Sequence, residues 1–120
     1  MGLANARLVI ACVVFIGFPA LAEPAAKKGP DCRGGWPTNM AQGALKNDGL
    51  LRNDEIDFEK TTTVRLASEQ TAKDLWHQVY LVTFSKKSGG SVQAIVVHDA
   101  SMEECSMSGV QVFAVSKRLE

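Results

Sequence analysis

The 120-residue chain has no excess of either charge, with 13 Lys and Arg standing against 13 Asp and Glu. It therefore lacks the positive field on which nucleic-acid binding depends. It also lacks a basic amphipathic helix suited to a membrane surface. Cysteine is scarce, three residues in all. No two of them form a Cys-x-x-Cys pair, so neither a redox dithiol nor a close-spaced zinc site is written into the sequence. There is no Gly-x-Ser-x-Gly elbow, no Ser-x-x-Lys box beside a partner set and no glycine-rich phosphate loop. The Gly34-Gly35 and Gly89-Gly90 pairs read as turn residues. Internal repeats and low-complexity tracts are missing too.

One long hydrophobic run is present, Leu8–Phe18, preceded by a short segment with a single positive charge, Arg7. Pro19 breaks any helix, and Ala20-Leu21-Ala22 supplies small residues where a signal peptidase cuts. This layout predicts a secretory signal peptide over 1–22, cleaved after Ala22, and no membrane span once it is removed. Val9-Ile10-Ala11-Cys12 is similar to a lipoprotein cleavage box that would leave Cys12 lipidated. Only four residues separate Arg7 from Cys12, so almost no apolar region would precede that cut, and cleavage after Ala22 is preferred. The remaining chain carries 12 basic and 13 acidic residues. Its localisation is then periplasmic or secreted.

Cleavage also removes Cys12 and leaves Cys32 and Cys105, 73 residues apart. In an oxidising compartment two such thiols in one small domain are expected to pair. The chain-entropy model gives a loop of this length roughly 4 kcal/mol. That is a large share of the about 5–15 kcal/mol that holds a domain together.

Residues 23–31, rich in Pro, Ala and Lys, read as a flexible leader to a single domain over 32–120. Trp36 is expected to plug one end of the core. A short helix is predicted from Thr38 or Asn39, with Asn39 and Gln42 as a capping box and Met40, Ala41, Ala44 and Leu45 on one face. Gly49 is placed to end it, and Gly43 within it implies a close neighbour. Ile56 and Phe58 alternate with acids as a brief edge strand. Thr61–Ser68 follows as a threonine-rich strand. Leu75–Phe84 is apolar on both faces, as a central strand must be. Lys86–Gly90 reads as a hairpin turn, followed by strands over Val92–His98 and Val110–Lys117. The expected class is therefore α+β: one short N-terminal helix packed on a four-stranded antiparallel meander, with one disulfide. In shape alone this order resembles cystatin-like and other helix-gripping sheets, whose binding motifs the chain does not carry.

The ligand-type residues are His77, His98, Asp99, Glu103, Glu104 and Cys105. His98 and Cys105 are seven apart, which does not orient two ligands from one turn, and Cys32 has the better claim on Cys105. A Ser101–His98–Asp99 relay is opposed by strand alternation, which sends His98 and Asp99 to opposite faces. No catalytic set, metal or cofactor is therefore expected. Recognition remains. The 99–109 loop is long for a hairpin and carries Met102 and Met107, adaptable apolar groups. The expected partner-binding residues are Trp36, Met102, Glu103 and Met107. The expected partner is a protein of the cell envelope or outside the cell, bound by a chain of inhibitor, immunity or accessory type. The rival reading is a small periplasmic enzyme or metal-binding protein using His77, His98 and the acidic 99–105 loop.

Overall fold

The computed structural model describes residues 29–115. The expected signal peptide, Cys12, residues 23–28 of the expected leader and the end of the last expected strand lie outside them. Along the chain come helix α1 (Trp36–Asn47), a 3-10 turn (Asn53–Glu55) and strands β1 (Ile56–Ala72), β2 (Leu75–Lys86), β3 (Ser91–Ala100) and β4 (Gln111–Ala114). The strands form one antiparallel sheet in the order β1-β2-β3-β4. The helix lies across one face of it, against β2, β3 and β4.

The helix begins earlier than the capping pattern implies. Pro37, in its first turn, presets a helical φ and has no N–H to leave unsatisfied there. The helix therefore starts at Trp36 behind Gly35, with no side-chain cap. Asn39 falls inside it, and Gln42 donates instead to the Asn53 side chain at 3.0 Å. Its end is as expected. Gly49 has φ 75, its N–H bonds the Lys46 carbonyl at 3.0 Å, and the Leu50 N–H bonds that of Leu45 at 2.9 Å. These are the two bonds of a Schellman motif. Pro37, Ala41 and Leu45 are the buried stripe. A Cβ at Gly43 would meet nothing within 4 Å, so no close neighbour explains that glycine. It borders an open groove of about 370 Å³ between α1 and Val110 and Val112.

Strand alternation sets the rest of the core. On β2, Trp76, Gln78, Tyr80, Val82 and Phe84 are buried beneath the helix, and on β3 Ala94, Val96, His98 and Ala100 join them. The expected edge strand and threonine-rich strand form one 17-residue element with three register shifts. The first shift, between Asp57 and Thr62, leaves Phe58–Thr61 opposite Phe84 alone, and the Thr61 hydroxyl closes it by donating to the Asp57 carbonyl at 2.9 Å. Ile56 and Phe58 consequently do not share an environment. Ile56 is buried, while Phe58 is 60% exposed.

Trp36 does not plug the core: it is 37% exposed, and Trp76, at 4%, fills that place. Trp76 packs on Gly29, where an added Cβ would sit 2.6 Å from the indole. Gly29 and Pro30, assigned by the sequence to the leader, are buried. The Pro30 carbonyl accepts from the Gln78 amide at 2.8 Å and from Arg65 at 3.0 Å. The Gln78 carbonyl oxygen accepts from the Tyr80 hydroxyl at 2.9 Å, which in turn accepts the Cys32 N–H at 3.0 Å. The disulfide Cys32–Cys105 is formed, with the Cα atoms 5.8 Å apart. The N-terminal segment is thus held by a buried polar chain as well as by the covalent link.

Candidate functional site

The loop from Ser101 to Val110 carries three of the four expected recognition residues, Met102, Glu103 and Met107, and is held at several points along its backbone. The buried Ser101 hydroxyl accepts the N–H groups of Glu103 at 3.3 Å and Glu104 at 3.0 Å, and the Ser101 N–H donates to the Glu104 carbonyl at 2.8 Å. Further along, the Met107 N–H donates to the Asp99 carbonyl at 3.1 Å, and the Ser108 hydroxyl accepts the Asp99 N–H at 3.0 Å. The loop is also tied to the turn between β1 and β2. Asp74, at φ 53, is a residue type that tolerates the left-handed region, and its carboxylate accepts the Met102 N–H at 2.9 Å. At the loop's centre Cys105 is bonded to Cys32.

On this fixed backbone Met102 is 51% exposed and Met107 47% exposed, with Glu103 also at the surface. Trp36 follows Cys32 by four residues at the start of α1. The disulfide therefore brings its segment to the loop.

The two histidines lie on opposite faces of the sheet. His77 is paired across strands with Asp99, and its Nδ1–H donates to the Asp99 carboxylate at 2.7 Å on the face away from α1. His98 pairs with Gln78 on the helix-covered face and donates from Nδ1 to the Cys105 carbonyl at 2.7 Å. Its Nε2 is buried without a hydrogen-bond partner. Burial lowers the His98 pKa below the ordinary imidazole value. Ser101 is committed to backbone N–H groups, so Ser101, His98 and Asp99 do not form a relay. Among the described residues no group of three or more His, Cys, Asp or Glu side chains is placed to hold a metal ion.

A second concavity was not legible in the sequence. A cleft of about 500 Å³ opens between the segment before α1 and β1, with Phe58, Phe84, Thr38 and Thr63 on its walls and Asp31 and Arg33 at its rim. The Thr38 and Thr63 hydroxyls bond each other at 2.8 Å. The Arg33 guanidinium beside Asp31 holds that carboxyl at about 2.

Among the described residues no helix is long and apolar enough to cross a membrane, a statement that does not bear on strands. Comparison with protein-family models, with curated proteins and with solved structures finds no match for this chain.

Proposed function

We propose that the chain is a small exported binding protein, released from residues 1–22 into the periplasm or the medium. On this reading it captures a protein of the cell envelope or of the exterior, as an inhibitor, immunity-type or accessory protein. The observation that carries the reading is the pre-set loop: Met102 and Met107 face solvent on a backbone already fixed by hydrogen bonds and by Cys32–Cys105. A surface ordered before contact loses less conformational entropy on binding, and methionine adapts to the partner's relief. Glu103 adds a charge at the rim, and Trp36 a large flat group nearby in the chain. The disulfide supports export, because such bonds persist in oxidising compartments. The rival reading, an enzyme or metal protein using both histidines, is disfavoured because His77 and His98 face away from each other through the sheet.

The test is capture from the native envelope fraction by oxidised protein, beside the combined variant Met102→Ala, Glu103→Ala, Met107→Ala. The expected result is one envelope protein retained by the native chain and lost by the variant at unchanged melting temperature. Equal capture by both, or a collapse of the variant's fold, overturns the assignment to the loop. Stoichiometric zinc together with a free Cys105 thiol in the exported protein overturns the whole reading.

A further inference from the structure

Two thioether sulfurs of the 101–110 loop belong to side chains that stand in solvent. The chain has four methionines. Met1 falls in the segment expected to be removed on export, and Met40 is partly buried on α1, where it lines the groove facing Val110 and Val112. Met102 and Met107 are 51% and 47% exposed, and neither packs against the hydrophobic core. No thiol competes with them for an oxidant. Cys32 and Cys105 are bonded to each other, and Cys12 belongs to the segment expected to be removed. The two most open sulfurs of the exported chain therefore share one loop. The hydrogen bonds that hold this loop come from backbone groups, Asp74, Ser101 and Ser108, and none uses a methionine sulfur.

We propose that Met102 and Met107 form an oxidation site at which hydrogen peroxide switches off recognition by the loop. The switch rests on the loop being the recognition surface; the site itself does not. In each step the thioether sulfur attacks one peroxide oxygen. An S–O bond forms, the O–O bond breaks, and the second oxygen leaves as water with both peroxide protons. The sulfur gives up two electrons and the peroxide takes them, leaving methionine sulfoxide. The loop selects a neutral oxidant. Residues 101–110 include the exposed Glu103 and Glu104 and no Lys or Arg, and the Asp74 carboxylate sits on the Met102 N–H. Their negative field repels anions such as hypochlorite and leaves peroxide unaffected. Oxidation then changes the contact face and spares the scaffold, because no bond of the loop passes through either sulfur. The sulfoxide oxygen is a strong hydrogen-bond acceptor, and enclosing it in an apolar contact without a donor is unfavourable. The adaptable thioether also becomes polar and chiral.

Peptide mass mapping of the disulfide-bonded exported protein during treatment with hydrogen peroxide reads the site. Met102 and Met107 should each gain one oxygen at least about fivefold faster than Met40, at an unchanged melting temperature. Capture from the native envelope fraction should then fall at least about tenfold. The double variant Met102→Leu, Met107→Leu keeps two apolar side chains of similar volume and should capture as well after peroxide as before it. Oxidation of Met40 at the same rate overturns the site. A fall in melting temperature on oxidation, or capture that survives full sulfoxide formation at both residues, overturns the switch. So does capture that peroxide abolishes equally in the leucine variant. If the untreated native chain captures nothing, the loop reading fails and the switch with it, while the mapping still decides the site.

Discussion

The hydroxyl of Tyr80 accepts the backbone N–H of Cys32 at 3.0 Å, across 48 residues of chain. It also donates to Gln78 at 2.9 Å, and Gln78 holds the Pro30 carbonyl. One phenol on the central sheet therefore seats the half-cystine that anchors the loop. Burial pushes its pKa up, so it stays a neutral donor and acceptor.

Tyr80→Phe keeps the ring and its packing but leaves the Cys32 N–H and the Gln78 carbonyl oxygen without a partner in the core. Orphaning a buried polar group costs about 1–3 kcal/mol. Urea unfolding of the oxidised variant should show the midpoint falling by a corresponding amount at unchanged slope. A midpoint equal to the native one would mean that the phenol is not what seats Cys32.

His98 gives stability a pH dependence whose sign is set by burial. Its pKa is lower folded than unfolded, so as pH falls below about 6.5 the unfolded chain takes the proton first. The contribution is complete above that value and is lost progressively as pH drops toward the folded pKa. Asp31 acts in a separate window, being lowered from 3.8 to about 2, so its share disappears only between those values. Unfolding midpoints measured from pH 8 to 2 should show both losses in the native protein. His98→Phe should abolish the upper loss while keeping the lower one.

Gly43→Ala is expected to stabilise the protein. The site is helical, and an added methyl meets nothing within 4 Å. Glycine in a helix interior costs about 0.5–1 kcal/mol relative to alanine, so thermal unfolding should shift upward by a few degrees. A downward shift would show that the groove beside α1 closes in solution.

Gly29→Ala has the opposite sign. The residue is at φ 75, and its new Cβ would sit 2.6 Å from the Trp76 indole. Either the ring moves or the segment lifts away. Unfolding should come at least about 1 kcal/mol earlier, with a red shift in tryptophan emission as Trp76 meets water. An unchanged emission spectrum would contradict the packing described.

The sheet was legible because its signals are local. Leu75–Phe84 alternates nothing and so must be central, Gly89 and Gly90 supply positive φ at the hairpin, and the cysteine count left one pairing. What was not legible depends on residues far apart in the chain. Trp36 and Trp76 are equally apolar on paper, and only the path of Gly29 and Pro30 decides which is covered. Phe58 loses its expected place because the Phe58–Thr61 bulge shifts the register, an irregularity no alternation pattern encodes. The polar chain through Pro30, Gln78, Tyr80 and Cys32 joins residues 48 positions apart. Of the expected recognition residues, the sequence identified the loop and its methionines, while the bonds that fix the loop come from Asp74, Asp99 and Ser101.

The three register shifts of β1 have a consequence for how this molecule behaves when crowded. A flat outer flank 17 residues long would be a template on which other chains could zip, growing fibres strand by strand. Each shift puts the flank's donors and acceptors out of step, so an incoming strand finds only short stretches in phase and growth stalls.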